Sequence, residues 1–386
     1  MREGWEYKKL GECFTYIKNG ANIKQKKNVD GYPITRIETL SGGVFNRDRV
    51  GYAGIHDLSK YADYILEPKD LLMSHINSKT YIGRTVEYKL ENKETIIHGM
   101  NLLRLKANFN IIDSTFFTYY TQSGDFRSKI ARIRKDAVNQ SSFAISDLKR
   151  IDVPLPSKST QLAIVSELDK INELIRLKKE QLKDFDNLAQ SIFYEMFGDP
   201  VENEKGWETK RLGDVCIYPA NRLPISEIKP QNYVGVENLQ KNRAGIIFSE
   251  KIPNINSATE FILNDILIGN IRPYLKKIWI ANKNGGASGD VVIVRITSGL
   301  LLPMYLFKVL ASDQFFEYDN TYTKGAKMPR GDRKAISNFP IPLPPLHLQH
   351  LFAHRIEQIE HQKAEVQKAI ADLETLLASR MQYWFE

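Results

Sequence analysis

The chain has 386 residues, of which 42% are hydrophobic and 26% are charged, and its formal net charge is +8. This composition is typical of a globular protein with two or three domains. No apolar run approaches the roughly 18 residues of a membrane span, and the N-terminus lacks the apolar segment of a signal peptide. We therefore expect a cytoplasmic protein with no membrane partner, in which Cys13 and Cys216 are reduced core residues.

The positive charge is confined to two stretches of the chain. Residues 1–155 carry 25 Lys and Arg against 18 Asp and Glu, and residues 198–344 carry 19 against 15. Residues 156–197 and 345–386 are slightly acidic, with 6 basic against 7 acidic residues and 4 against 6. A polyanion would be attracted to the two basic stretches and not to the other two.

The same motifs occur twice along the chain. Residues 4–12, GWEYKKLGE, return at 206–214 as GWETKRLGD, an offset of 202 positions. Residues 151–156, IDVPLP, return at 339–344 as FPIPLP, an offset of 188 positions. This period is far longer than the roughly 20–50 residues of a solenoid repeat. It indicates a duplicated unit, and the object that the protein recognises should also have two parts.

The predicted elements follow the same order in both copies. In the first copy, residues 70–74 and 100–105 are predicted to be buried strands. A helix is predicted from Ser114 to about Arg134, with Asp113 or Ser114 as its N-cap. In the second copy, residues 265–269 and 291–296 are the matching strands, and residues 303–316 the matching helix. The loops between these elements differ, which indicates one fold with two different surfaces.

A proline-rich exit ends each basic stretch, and a long helix is predicted to follow it. Proline fixes φ and disfavours helix in the preceding residue, so both exits should be extended. Beyond each exit, apolar residues recur at alternating steps of three and four, the heptad seam of a coiled coil. The first seam is Ile164, Leu168, Ile171, Ile175, Leu182, Phe185, Ala189 and Ile192. The second, in the same register, is Phe352, Ile356, Ile359, Lys363, Val366, Ile370, Leu373 and Leu377.

The predicted fold class is α+β, with two similar mixed α/β domains separated by two long antiparallel helices in a pseudo-twofold, nearly circular arrangement. The expected boundaries are 1–155 for the first domain and 156–197 for a central spacer helix. Residues 198–344 form the second domain and residues 345–386 a C-terminal spacer helix. Each helix of roughly 33 residues would span about 50 Å. The last residues of the chain are expected near its start.

Basic residues cluster at two places in each domain, and the last cluster of each precedes the proline exit. This recurrence favours a phosphate-contacting edge over a merely solvated face. The candidates in the first domain are Lys24, Lys26, Lys27, Arg127, Lys129, Arg132, Arg134 and Lys135. Those in the second are Arg272, Lys276, Lys277, Lys324, Lys327, Arg330 and Arg333. Candidates for base contacts beside them are Asn139, Gln140, Asn270 and Tyr274.

The sequence gives little support to a catalytic or metal-binding site. It has no P-loop motif, and the glycine-rich segment 284–289 is predicted to be a plain loop because no helix follows it. The nuclease-like triplet Glu87-Tyr88-Lys89 is expected by chance in a chain rich in Glu and Lys. His347, His350, His354 and His361 share one helical stripe. Because no acidic or cysteine partner completes that set, we predict surface residues and no metal.

Taken together and in order, these motifs resemble the specificity subunit of type I restriction-modification enzymes. The resemblance rests on Gly-Trp-x4-Leu-Gly at 4–11 and 206–213, on a strand followed by a polar loop at 74–84 and 270–276, and on Pro-Leu-Pro followed by Gln161 or Gln349. The motifs occur in the same order in two successive copies, which together cover the whole chain. The resemblance adds four residues of the first polar loop to the candidate DNA contacts: Ser74, Asn77, Lys79 and Arg84.

The resemblance implies two target recognition domains, each reading one half of a bipartite DNA sequence in the major groove. The helices would set the gap between the half-sites and dock two methyltransferase subunits, which use S-adenosylmethionine. Restriction subunits, with Mg²⁺ and ATP, would complete the complex, and this chain would have no cofactor or active site. Two alternatives remain. One is a DNA-acting enzyme with degenerate nuclease or methyltransferase motifs, and the other is a protein-binding scaffold with incidental basic charge.

Overall fold

The computed structural model describes residues 4–26, 29–138, 140–248, 250–325 and 327–386. The chain forms two compact units: Met1–Lys179 with Lys368–Glu386, and Glu180–Gln367. Each unit therefore contains one globular domain and one half of each long helix. Among the described residues, no helix is long and apolar enough to cross a membrane.

The globular part of the first unit is a four-stranded sheet with helices against one face. Its elements are β1 (Glu6–Lys9), α1 (Leu10–Cys13), β2 (Phe14–Asn19), β3 (Leu71–Ser74), β4 (Ile76–Asn77), β5 (Thr85–Glu87), β6 (Leu102–Ala107), α2 (Ser114–Tyr120), α3 (Gly124–Ile133), β7 (Lys135–Asp136), β8 (Ser141–Ser142), α4 (Ile145–Lys149), β9 (Asp152–Leu155) and the long helix α5 (Lys158–Phe197). The main sheet has the antiparallel order β2-β6-β3-β5.

Strand β3 is buried on both faces. Leu71 and Met73 belong to the main core with the helices, whereas Leu72 packs into a second cluster with Val86 and Leu102. A strand that is covered on both sides needs a continuous apolar run, not an alternating one. The sequence predictions for β3 and β6 are confirmed for this reason.

The second unit repeats this architecture and adds a second four-stranded sheet. Its elements are β10 (Thr209–Arg211), α6 (Leu212–Val215), β11 (Cys216–Ile217), β12 (Arg222–Pro224), β13 (Tyr233–Val234), β14 (Ser257–Phe261), β15 (Ile266–Gly269), β16 (Ile278–Ile280), β17 (Gly285–Ala287), β18 (Val291–Ile296), α7 (Pro303–Leu310), α8 (Asp313–Thr321), α9 (Arg333–Ser337), β19 (Pro340–Pro342) and the long helix α10 (Leu346–Phe385). The sheet β11-β18-β15-β16 matches the main sheet of the first unit, and β12-β14-β17-β13 is additional.

The Gly-Trp start and the proline exit, the two sequence motifs that recur, pair with each other in both units. Strand β1 pairs antiparallel with the proline exit β9, and β10 pairs in the same way with β19. The backbone N–H of Leu10 donates to Ile151, and that of Leu212 donates to Phe339. A side chain at Gly11 would lie 3.1 Å from Cβ of Lys149, so this glycine allows α1 to pack closely against α4. The Gly-Trp start and the proline exit therefore recur together because they close the same domain.

The single helix predicted after each central strand is wrong, because each copy contains two short helices. In the first unit α2 ends at Tyr120, and the Ser123 side chain accepts a hydrogen bond from the backbone N–H of Phe126 to start α3. In the second unit Ser312 caps α8 through Phe315 in the same way. Such an N-cap satisfies an otherwise free backbone N–H, which favours a new helix over a continued one. The Asp113 N-cap predicted for α2 is confirmed.

The long helices have 40 residues each, more than the roughly 33 predicted. At about 1.5 Å per residue each is about 60 Å long. The seam residues are buried or half-buried, as the heptad pattern predicts. Within each unit the two helix halves pack antiparallel. Glu167 pairs with Arg380 in the first unit, and Asp186 pairs with Lys363 at 2.8 Å in the second.

The glycine-rich segment 284–289 is not the plain loop that we predicted, since Gly285–Ala287 forms strand β17 inside the additional sheet. A Cβ at Gly285 would lie 2.1 Å from the backbone oxygen of Asn232. Glycine is needed there because another strand approaches closely. The prediction for Cys13 and Cys216 is confirmed, since both are buried and free.

Candidate nucleic-acid interface

In the first unit, a small sheet joins the polar loop after β3 to the basic segment after α3. Strand β4 pairs with β8, and β8 pairs with β7, so that Ser142 lies between Ile76 and Lys135. The backbone N–H of Phe143 extends this contact by donating to His75. Two segments that are about 60 residues apart in sequence thus form one surface.

The second unit contains an equivalent arrangement of three segments, held by single β-bridges instead of full strands. Arg330 makes antiparallel bridges to Ile271 on one side and to Lys324 on the other. The backbone N–H of Gly331 donates to Asn270, as Phe143 does to His75. Both basic clusters that the sequence predicted in the second domain therefore meet on one surface. Different side chains occupy the equivalent positions in the two units.

A basic cleft of about 520 Å³ lies beside the small sheet of the first unit. Four of the predicted DNA contacts line it: Lys79, Arg84, Arg127 and Arg134. Gly42, Gly43 and Gly83 form much of its remaining wall, each with positive φ. A cleft of this kind, open and lined by cations, attracts phosphate groups.

Asp136 holds several of these cations in place. Its carboxylate accepts from the Ser141 hydroxyl at 2.6 Å and from Arg134 at 2.7 Å, and Lys79 lies 3.2 Å away. The hydrogen bond from Ser141, followed by that from Arg134, holds the pKa of the Asp136 carboxyl at about 2. The carboxylate is therefore charged at neutral pH and orients the basic groups around it.

Several other candidates of the first domain are placed differently. Ser74 is buried and its hydroxyl accepts from Asn77 at 3.0 Å. The ammonium of Lys129 turns inward to Asp125 and to the backbone oxygen of Asp152. Three candidates of the small sheet and α3 are exposed: Arg132, Lys135 and Gln140.

Among the described residues, no hydrogen bond or ion pair joins the basic segment near the start of the chain to the small sheet. Lys24 and Lys26 are exposed, and the backbone of Lys26 pairs with Tyr52. Lys27 and Asn139, two further candidates, lie outside the described residues.

In the second unit, the loop after β15 carries two basic residues in the left-handed backbone conformation. Arg272 has φ +54° and Lys276 has φ +50°, on either side of a short turn that contains Pro273. Non-glycine residues rarely adopt this conformation, and it concentrates at functional sites. The backbone N–H of Arg272 donates to Pro329, which fixes the turn to the second basic segment. The turn presents Tyr274, whose side chain is 52% exposed.

Carboxylates also pair with most of the cations in the second unit. Arg330 lies 3.1 Å from Asp290, Lys324 lies 2.5 Å from Asp332, and the Arg333 side chain donates to a backbone oxygen. Lys327 and Arg272 are exposed.

The remaining second-domain candidates are less accessible. Lys276 pairs with Asp313, and the Lys277 ammonium donates to the backbone oxygen of Val236 at 2.6 Å. Asn270 is 91% buried. The sequence analysis missed Arg243, which also pairs with Asp313 and donates its backbone N–H to Lys276. Only tertiary structure brings Arg243 to this loop, and the sequence around it carries no signal.

Each of the other motifs has a defined structural setting. Glu87 accepts hydrogen bonds from the hydroxyls of Ser114 and Thr115, so the Glu-x-Lys triplet serves the start of α2. The four histidines of α10 are exposed. Among the described residues, no group of three or more His, Cys, Asp or Glu side chains could hold a metal ion.

Comparison with known proteins explains the duplication. A family model for the type I restriction modification DNA specificity domain matches residues 2–184 and again residues 204–375. The chain belongs to the type I restriction-modification specificity family. It is a DNA specificity subunit with two recognition domains and no active site of its own.

Relatives of the same kind match across most of the chain. The putative type I restriction enzyme MjaX specificity subunit of Methanocaldococcus jannaschii is 27% identical over 409 residues, which cover 97% of this chain and 93% of that protein. The EcoDI specificity subunit of Escherichia coli is 22% identical over 295 residues, or 64% of this chain and 63% of that protein.

Solved structures share the fold. The crystal structure of a type I restriction-modification S subunit from M. genitalium matches with a TM-score of 0.55 and 15% identity, over 99% of this chain and 96% of that one. A chain from a structural study of type I restriction-modification complex assembly matches with a TM-score of 0.60 and 16% identity. The match covers 100% of this chain and 98% of that one.

Proposed function

We propose that this specificity subunit reads a bipartite DNA target, with one half-site contacted by each recognition domain. The observation that carries the proposal is the small arrangement of three paired segments, which joins a polar loop to a basic segment in both units. The framework is the same, whereas the side chains at matching positions differ. Two copies of one reading surface with different residues suit two different half-sites.

The candidates for DNA contact are the exposed cations of these surfaces. Phosphate contacts fix the position of a protein on the duplex, while contacts to base edges carry the sequence information. We assign the phosphate role to the cleft cations, such as Arg127, and to Lys327. Arg272 and Tyr274, at the tip of a fixed turn, are candidates for contacts to bases.

The two long helices would set the gap between the half-sites. We propose domain boundaries near residues 155, 197 and 344, with residues 156–197 and 345–386 as the spacer. A helix of about 60 Å is long enough to support two half-sites one DNA turn, roughly 34–36 Å, apart.

The same helices would dock two methyltransferase subunits in the cytoplasm. Both long helices carry leucines whose side chains are almost half exposed, among them Leu174, Leu188 and Leu376. Apolar side chains on a helix face outside the seam suit a protein partner. The methyltransferase subunits would supply S-adenosylmethionine chemistry, and restriction subunits would add the Mg²⁺- and ATP-dependent steps.

Binding measured over a series of salt concentrations tests the proposal. The full chain with its methyltransferase partner is titrated against the duplex that methylation mapping identifies. We expect affinity to fall steeply with salt, because the cations displace counterions from phosphates. Affinity that is flat in salt would refute the proposed interface. The chain alone, given DNA, Mg²⁺ and S-adenosylmethionine, should neither cleave nor methylate.

A further inference from the structure

Asp319 is a buried carboxyl group beneath the reading surface of the second domain. It lies on α8, its side chain is 0% exposed, and neither carboxylate oxygen has a hydrogen-bond partner among the described residues. Buried polar groups are nearly always paired, and those that are not concentrate at functional sites.

Asn270 and Asp319 both lie close to Gly331. Its side-chain oxygen is buried and also has no partner among the described residues. A Cβ at Gly331 would lie 2.4 Å from a carboxylate oxygen of Asp319 and 3.0 Å from the amide oxygen of Asn270. Two buried acceptors therefore converge on Gly331, the residue that joins the two basic loops through its N–H bond to Asn270.

In the first domain, the position equivalent to Asp319 is apolar. Ile130 stands seven residues after the capping Ser123, as Asp319 stands seven residues after the capping Ser312. Ile130 is 3% exposed and packs against Gly83. Ile130 needs no proton, although the buried Nδ1 of His75, the counterpart of Asn270, also has no partner among the described residues. In the second domain, Asp319 and Asn270 are two acceptors without a donor.

Among the described residues, no ion pair neutralises Asp319 from the elements that pack around it. Burial raises the pKa of the Asp319 carboxyl to about 6. Tyr218 is its titratable neighbour, and the pKa of that phenol is itself raised by burial. The nearby cations have other acceptors, as described above: Arg330 has Asp290, Arg333 has a backbone oxygen, and Lys276 and Arg243 have Asp313.

We propose that Asp319 is a positioning residue whose proton closes the joint between the two reading loops of the second domain. The protonated carboxyl donates its hydrogen to the amide oxygen of Asn270, which holds loops 270–277 and 324–333 together. Loss of the proton leaves two facing acceptors and a buried charge, so the joint opens more often. The first domain, with Ile130, lacks this dependence.

Hydrogen exchange of the full chain tests the joint without DNA. Amide exchange is measured by mass spectrometry at pH 5 and pH 7.5 and corrected for the intrinsic exchange rate at each pH. If opening exposes Asp319 to water, its pKa falls from about 6 to 3.8 in the open state. Opening should then be about tenfold more frequent at pH 7.5 than at pH 5. The rise should be confined to peptides from the two loops.

Two variants and an internal control make the result decisive. Asp319→Asn cannot titrate, and Asp319→Ile copies the first domain, so both should lose the tenfold rise. Peptides from residues 74–84 and 134–143 should show no rise with pH. In that region the buried His75, whose pKa is lowered, would ease opening at low pH instead. Equal corrected rates in the wild type at both pH values would overturn the proposal, as would an unchanged rise in Asp319→Asn.

The consequence for DNA recognition rests on the proposed function and is measured separately. With the mapped duplex, discrimination against a substituted second half-site should weaken from pH 6 to pH 7.5 in the wild type but not in Asp319→Asn. If hydrogen exchange shows the expected rise but this discrimination does not change with pH, the proton-dependent contact between the loops is supported. Its role in DNA recognition is then refuted.

Discussion

Gln161 and Gln349 make the same three hydrogen bonds at equivalent positions of the two repeats. The side-chain oxygen of Gln161 accepts from the backbone N–H of Asp113, and its amide donates to Ile111 and Pro156. Gln349 accepts from Leu302 and donates to Leu300 and Pro344. Each glutamine thus ties the start of a long helix to its recognition domain and to the proline exit.

Replacement of Gln161 by alanine should destabilise the first unit. The substitution leaves three backbone groups, one buried and two partly buried, without a partner, and the expected loss is about 2–3 kcal/mol of the free energy of unfolding. Urea unfolding, monitored by circular dichroism, measures it. Gln190→Ala, at an exposed position of the same helix, is the matched control and should change stability by less than about 0.5 kcal/mol. Equal effects of the two substitutions would show that the hydrogen bonds of Gln161 contribute little.

Stability should depend on pH through Asp319. Its pKa is raised to about 6 in the folded chain against 3.8 as the reference. The folded state therefore holds the proton more tightly, and stability is lost as pH rises from about 4 to 6. The loss is on the order of 3 kcal/mol if no other group responds.

Comparison with Asp319→Asn isolates this contribution. The difference in unfolding free energy between variant and wild type should grow in favour of the variant between pH 4 and pH 6. Thermal or urea unfolding at several pH values measures this difference. A constant difference across the range would contradict the assigned pKa.

Neutralisation of two exposed arginines of α3 should reduce the salt dependence of DNA binding. Each phosphate contact contributes about 0.9 to the slope of log K against log salt concentration. The double variant Arg127→Gln and Arg132→Gln should therefore lower the slope by about 1.8. The control is Lys183→Gln with Lys368→Gln, which removes the same charge from exposed positions on the long helices. If both double variants lower the slope equally, the effect is one of net charge and not of a defined contact surface.

Insertion of one heptad at the middle of both long helices should widen the recognised gap. Seven residues lengthen a helix by about 10.5 Å, which equals about 3 base pairs at 3.4 Å each. Both half-sites should remain unchanged, because the recognition domains are untouched. An insertion of two residues, which turns the following seam by about 200° and so breaks its register, should instead destabilise the helix pair. An unchanged gap in the heptad variant would refute the proposed role of the helices.

The sequence predicted the regular parts of the structure because they depend on local patterns. The strands β3 and β18, the seam residues such as Ile164 and the Asp113 N-cap all follow from periodicity or capping chemistry. The break between α7 and α8 was missed although Ser312 is a typical capping residue. Only Ser312, Asp313 and Gln314 separate the apolar residues on either side, and the prediction extended one helix across them.

The candidate site could be predicted only in outline. The sequence identified the basic segments, but the partner of each cation depends on tertiary structure. Lys129 turns inward to Asp125, whereas Arg127, two residues earlier, stays exposed. Arg243 was missed because it reaches the second reading surface from a distant loop. The polar contact at Asp319 could not be predicted from the sequence. The equivalence of Asp319 and Ile130 becomes visible only when Ser123 and Ser312, which cap α3 and α8, are aligned.

A map of methylated sites in DNA from cells that contain this subunit and its methyltransferase partner tests the central claim most directly. The account predicts methylation within one bipartite sequence of two specified half-sites separated by a fixed, unspecified gap. Substitution of Arg272 and Tyr274 by alanine should relax or alter one half-site and leave the other intact. A single contiguous recognition sequence, or simultaneous loss of both half-sites in a variant that still folds, would contradict one reading surface per domain.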